Sequence, residues 1–292
     1  MSCTEQGRGD KNKEIAMKIG IGIPNAIPNT DGKIWTRWAQ RAEERGFSGL
    51  STIGRIVFDG HEELIALAAC AAVTEKIELL TTVMIGPVRE STLLAKQAAS
   101  LQSLSGGRLT LGLGVGWRQS DFTATGTDDL WGDRGGALEE QVDRLREVWA
   151  DSEIGPNLDP PEIMLGGAAD VALRRAGRMA DAFIAGPFDK ETVIEQFKKV
   201  DQAAGEKKPR KLTARYFALG EDVRDEMLAN VRAYYQAGGE DFVKMMQDGV
   251  LTTPEQVRQA IEDMKSTGAE ELCFWPQLNH LDQIDKLADI VF

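Results

Sequence analysis

The chain has 292 residues, enough to bury a large core as one barrel-sized domain or two smaller ones. With 46 acidic against 34 basic side chains its formal charge is −12, which argues against nucleic-acid or anionic-membrane partners, since both need basic patches. The three cysteines are scattered and the two histidines, His61 and His280, are far apart, so neither a disulfide framework nor a metal site is expected; with no apolar run near ~20 residues, a cytoplasmic protein is.

Residues 1–16 are polar and glycine-containing and read as a disordered N-terminal extension, leaving 17–292 as a single domain. From there, short apolar runs alternate with longer helical patterns. KIGIGIP (18–24) is a buried strand; Asp31 precedes a helix with Ile34, Trp38 and Ala42 on one face, closed by Gly46. GLSTI (49–53) is the second strand, Leu64, Leu67, Ala68 and Ala71 mark the next helix, and KIELLTTVM (76–84) is the third strand. A helix over 91–104 follows, then the strand RLTLGLG, then a helical face of Leu138, Val142, Leu145 and Trp149. PEIMLGG, a helix over 170–179, DAFIAG and a helix over 190–203 continue the rhythm. KLTARYFAL (211–219) is the seventh strand, 222–268 a helical excursion, ELCFWP (271–276) the eighth strand, and Leu281, Ile284, Leu287 and Val291 the closing helix. Eight strands alternating with helices over about 275 residues predict a (β/α)8 TIM barrel, which typically uses ~250, with a helical excursion after strand seven. A doubly wound open sheet is the competing arrangement.

The stretch SGGRLTLGLGVGW (105–117) raises the question of a phosphate loop. A dinucleotide-binding turn runs G-x-G-x-x-G, with an acidic strand end about 20 residues later. Here the spacing is G-x-G-x-G, and the residues 20 positions on lie within a helical pattern. The alternatives are close backbone packing and a side-chain-poor floor for a flat ligand at the barrel mouth.

TTVMIGPVRESTLLAKQAASLQSLSGGRLTLGLGVGWRQSDFTATG, together with GFSGL, PPEIMLGGAADVALRRAGRMADAFIAGP and LTTPEQVRQAIEDMKSTGAEEL, resembles the bacterial-luciferase-like flavin (FMN) or deazaflavin (F420) oxidoreductases over nearly the whole chain from Met17. The resemblance implies a TIM barrel with an excursion around strand seven, FMN or F420 at its mouth, no metal, and commonly a homodimer. It also implies hydride transfer or oxygen activation on a small organic substrate, with a separate flavin or F420 reductase as a possible partner.

By the same resemblance, Thr82–Val83 matches a non-proline cis peptide that backs the cofactor ring in F420-dependent relatives. Gly166, Gly167 and Ala168 open a helix whose amides suit a phosphate tail, beside Ala185 and Gly186. Val115 and Gly116 fall in the same cofactor wall, although luciferase has a phosphate-binding arginine where Val115 stands. Trp117 stands where some F420 relatives keep a glutamate and is expected to line the substrate pocket; Arg118 beside it is expected to be a rim charge.

Many relatives carry Asp-His at the end of strand two, whereas this chain has Gly54-Arg55. Arg55, too basic for general-base work, is the candidate for an anionic substrate or a reduced ring, and His61 the candidate replacement imidazole. The expected function is therefore an FMN- or F420-dependent oxidoreductase or monooxygenase, in which the cofactor carries the difficult chemistry. A non-catalytic flavin- or ligand-binding barrel, lacking the Asp-His pair, is the alternative, and a hydrolase or aldolase on the same scaffold a more distant one.

Overall fold

The computed structural model describes residues 17–151, 153–156 and 159–292, so the expected N-terminal extension lies outside the described residues. Its first half alternates β1 (Lys18–Gly22), α1 (Ile34–Glu44), β2 (Gly49–Thr52), α2 (Glu63–Ala71), β3 (Glu78–Thr81), β4 (Met84–Ile85), α3 (Ser91–Leu104) and β5 (Leu109–Gly114). After β5 come α4 (Gln119–Thr125), a 3-10 helix over Asp128–Asp133, and α5 (Arg134–Ala150); the first two were not expected from the sequence. The second half comprises β6 (Glu162–Gly166), α6 (Asp170–Met179), β7 (Ala182–Ala185), α7 (Lys190–Ala204) and β8 (Arg210–Phe217). The excursion is α8 (Arg224–Tyr235), α9 (Glu240–Asp248) and α10 (Pro254–Lys265), before β9 (Glu271–Pro276) and α11 (Asp282–Val291).

Every strand pairing is parallel, running β3-β2-β1-β9-β8-β7-β6-β5-β4, and β3 also pairs with β5 through Leu79–Leu109 and Leu80–Thr110. That contact closes the ring, with β3 and β4 as two parts of one barrel strand. The result is the expected eight-stranded TIM barrel, not an open sheet. Parallel strands covered on both faces need apolar residues throughout, and all six residues of β5 are buried. Helix starts follow their local chemistry: Glu90 accepts from the Thr92 and Leu93 amides, and Thr253 forms a capping box with Gln256 around Pro254.

The two ends of the barrel differ. At the base, the first residues of several strands form an ionic ring: Arg210 reaches Glu78, Glu162 and Glu271 at 3.1, 2.7 and 3.2 Å, and Lys18 reaches Glu78 at 2.6 Å. Higher in the barrel, Leu80, Met164, Leu212, Ala214 and Cys273 join one apolar cluster with Met227, Val231 and Met246 of the excursion. The excursion is thus packed over the mouth and shares the barrel's interior core.

The third strand, expected to run unbroken from 76 to 84, breaks between Thr81 and Met84, and the Thr82–Val83 peptide bond is cis. The break explains the glycines of β5. A Cβ on residue 112 would lie 1.8 Å from the Thr81 carbonyl oxygen, and one on residue 114 would lie 2.7 Å from a Val83 methyl. The Thr81 hydroxyl seals the approach, donating to the Gly112 carbonyl at 2.8 Å and accepting from its amide at 2.7 Å. At Gly112 the missing side chain therefore makes room for the protein's own backbone, which corrects the reading of that position as floor space for a ligand.

Gly112→Ala is expected to destabilise the fold by at least ~3 kcal/mol, because backbone cannot move aside as a flexible side chain can. Gly132→Ala, with no atom within 4 Å of the added carbon, is the matched control and should be near neutral by chemical denaturation.

Candidate active site

At the C-terminal ends of the strands lies an open cavity of about 460 Å³. The residues singled out from the sequence converge there: Thr82 and Val83 from the strand break, Val115, Gly116 and Trp117 after β5, Gly166, Gly167 and Ala168 after β6, Ala185 and Gly186 after β7, and Arg55 after β2. His61 does not. It is exposed, with its ring edge-on to Trp35 at 5.0 Å, so the structure does not supply it as a replacement imidazole. His280 is likewise outside the cavity, paired with Glu226 at 3.2 Å.

The floor and the phosphate-seat candidate follow from backbone geometry. Val83 packs with Ile53, Ile184 and Trp275 in the interior cluster, giving an apolar floor. Helix α6 starts without a side-chain cap: Ala169 at the N-cap position has no oxygen to offer the first-turn amides. Its first-turn acid, Asp170, is drawn to Lys199 at 2.9 Å. An uncapped helix start next to Gly167 and Ala168 on the cavity wall is suited to an anionic oxygen.

The other wall is built by the excursion. Arg55 donates to the Tyr234 carbonyl at 3.3 Å and to that of Val57 at 2.7 Å, and Arg118 also donates to the Tyr234 carbonyl. Both guanidiniums lie against the Tyr234 ring, and cations are favoured at this C-terminal end of α8. Arg118 is only 7 % exposed, so it is a buried anchor and not the rim charge expected from the sequence. Burial lowers the pKa of each guanidinium from its ordinary value, and for Arg118 the neighbouring Arg55 adds to the effect. Arg55 therefore has a visible task in fastening α8. Edge-to-face contacts extend the wall from Phe58 through Tyr234, Tyr235 and Phe242 to Trp117, which is 46 % exposed.

Four polar side chains on the cavity, those of Asp121, Arg134, Tyr216 and Tyr235, were not singled out from the sequence. Asp121 is buried, with one carboxylate oxygen accepting from the Ile56 and Val57 amides at 3.1 and 2.7 Å and the other without a partner. Arg134 lies 4.2 Å from the Trp131 ring centre and donates to the Trp131 carbonyl. The hydroxyls of Tyr216 and Tyr235 are hydrogen-bonded to each other. The adjacent tyrosines at 234 and 235 lie inside the helical excursion over 222–268, where the sequence offers no local signal, and strand alternation is the signal that Tyr216 turns inward.

Behind the wall, Glu63 fills the space that Gly54 leaves: a Cβ at residue 54 would lie 1.6 Å from the Glu63 Oε1. Oε2 accepts from Arg89 at 2.6 Å, whereas Oε1 has no partner. Burial pushes the carboxyl up to about 7 from an ordinary 4.5, with Arg89 opposing the rise. An acid that binds its proton more tightly when folded contributes most below pH 4.5, and that contribution is lost as the pH rises to about 7. Urea denaturation across this window should show a fall of up to ~3 kcal/mol that Glu63→Gln largely removes.

The family described as luciferase-like monooxygenase matches residues 17–272. An uncharacterized protein of Mycobacterium bovis is 28% identical over 220 residues, covering 62% of this chain and 75% of that one. The FMNH(2)-dependent dimethylsulfone monooxygenase of Pseudomonas putida is 27% identical over 215 residues, covering 65% of this chain and 59% of that protein. In fold, the chain is similar to an F420-dependent secondary alcohol dehydrogenase solved with an F420-acetone adduct, with a TM-score of 0.79 at 17% identity over 94% of this chain and 98% of that one. With a match that spans most of its length and the barrel that goes with it, this chain belongs to the luciferase-like monooxygenase family.

Proposed function

We propose that the protein is an oxidoreductase that binds reduced FMN or F420 at the barrel mouth and acts there on a small organic substrate. The observation that carries the reading is the pairing, on one cavity, of an apolar floor at the Thr82–Val83 break with an uncapped helix start at Gly167–Ala168. A flat ring with a phosphate-bearing tail needs both. The residues present fit such a group: Val83 would back the ring, the α6 amides with Gly166, Gly167 and Ala168 would hold the phosphate, and Ala185 and Gly186 would leave it room. When bound, the cofactor supplies a hydride or activates oxygen.

The chain's own part is to bind, orient and exclude water. Phe188 and Ile184 flank the phosphate side with apolar surface, and the aromatic wall from Tyr234 to Trp117 covers the other. Arg55 and Arg118 act by fixing that wall. The relatives support either cofactor, since one is described as FMNH(2)-dependent and another as F420-dependent. A cytoplasmic homodimer supplied by a separate reductase completes the reading.

Absorbance and fluorescence titration with FMN, FAD and F420 tests it: saturable binding of one of them is expected, and binding of none would overturn the proposal. Turnover with the cofactor so identified separates an enzyme from a barrel that only binds. Ala168→Asp, which sets a carboxylate at the phosphate seat, should weaken cofactor binding by about tenfold or more without lowering the melting temperature appreciably.

A further inference from the structure

The apolar part of the cavity contains one hydrogen-bond donor that the protein does not use. Tyr216 comes from β8 and Tyr235 from the end of α8; both line the cavity, and their hydroxyls bond to each other. A phenol has one proton to donate. Burial pushes Tyr235 up to about 12 and Tyr216 well above its ordinary value, so both keep their protons at neutral pH. Two O–H groups joined by one hydrogen bond leave one O–H over, and among the described residues neither hydroxyl has a further partner.

The rings packed on the pair include Trp275, 5.2 Å from Tyr216, and Phe242, 5.5 Å from Tyr235, and the Trp275 indole is itself a donor, already spent on the Ser51 hydroxyl at 3.1 Å. A hydrocarbon that displaces solvent from this part of the cavity leaves the donor without an acceptor at a cost of ~1–3 kcal/mol, which a ligand oxygen in the right place avoids. The demand is for a neutral oxygen. A carboxylate would be better served by the guanidiniums of Arg55 and Arg134 elsewhere on the cavity.

We infer that the Tyr216–Tyr235 hydroxyl pair is the specificity-determining contact for a neutral substrate carrying an acceptor oxygen of the carbonyl type. The inference rests on the cavity being the substrate site, as proposed above, but not on which cofactor shares it. The cofactor seat draws on the break after β3 and on the ends of β5, β6 and β7, whereas the tyrosines belong to β8 and the excursion, so the pair is assigned to the substrate and not to the cofactor's ring.

The test compares cyclohexanone with methylenecyclohexane, which has the same shape without the oxygen, by calorimetric or ligand-observed NMR titration of the wild type and of the double variant Tyr216→Phe/Tyr235→Phe. The wild type should prefer the ketone by about tenfold, and the double variant should show a ratio near one. Each single Phe variant leaves one hydroxyl and should retain part of the preference. FMN and F420 titrations of the same proteins serve as the check on folding and on cofactor binding. Equal affinity of the wild type for the two probes, absence of ketone binding, or an unchanged preference in the double variant would overturn the inference. So would a double variant that loses cofactor affinity but keeps its ketone preference. Failure of the cofactor titration alone would instead count against the proposed function, since the probe comparison is made without cofactor.

Discussion

The shape of the cavity depends on how closely the backbone at Thr81 passes Gly112. The Thr81 carbonyl oxygen lies only 1.8 Å from where a Cβ on residue 112 would stand, so no side chain fits there. The third barrel strand can then stop, turn through Thr82 and Val83, and resume at Met84 alongside Leu113. That turn lifts Val83 into the mouth and gives the barrel an apolar floor. Without small residues in β5 the strand would pass straight on and the mouth would have a different base.

A second constraint acts from above. One peptide carbonyl, that of Tyr234, receives guanidinium hydrogen bonds from Arg55 and Arg118, which come from the ends of two separate strands. Charge-assisted bonds of this kind are roughly twice as strong as neutral ones, and these fasten the last turn of α8 to the barrel rim. The tyrosine hydroxyls and the aromatic wall are held where they are by that attachment. The positive charge at the mouth of a strongly acidic protein is thus partly structural, and a cluster of arginines there does not by itself announce an anionic ligand.

Much of this was readable in the sequence. Alternating apolar runs gave the strand count, and buried parallel strands such as ELCFWP and LTLGLG read as unbroken apolar segments because both faces are covered. The helix over Ser91–Leu104 and that over Asp170–Met179 have the expected bounds. The candidate cavity residues were legible mainly through the family resemblance, and Gly114 to Trp117 also through their place at the end of a barrel strand. What was not legible depended on contacts between segments far apart in the chain. Nothing local to Arg55 or His61 says that one turns to a helix 179 residues away while the other turns to Trp35. Gly54 looked like the loss of an acid, and only the fold shows that Glu63, reaching in from α2, puts a carboxylate into the vacated volume. The tyrosine pair was hidden for the same reason, because a strand and an excursion helix meet only once the barrel has closed.

The ionic ring at the base has a consequence for how such a protein can change over generations. Glu271 is wholly buried there, and removing its partner Arg210 would strand a charge at a cost of ~3–5 kcal/mol. The opposite end has a buried pair of its own, Glu63 with Arg89, but it lies behind the cavity wall and not in the lining. The walls there are loop residues, glycines and one anchored helix, which can be exchanged while the basal ring keeps the strands in register. Descendants of this chain are therefore free to drift in what they admit at the top and are held almost fixed at the bottom, so diversification of substrates should leave its record at one pole of the barrel only.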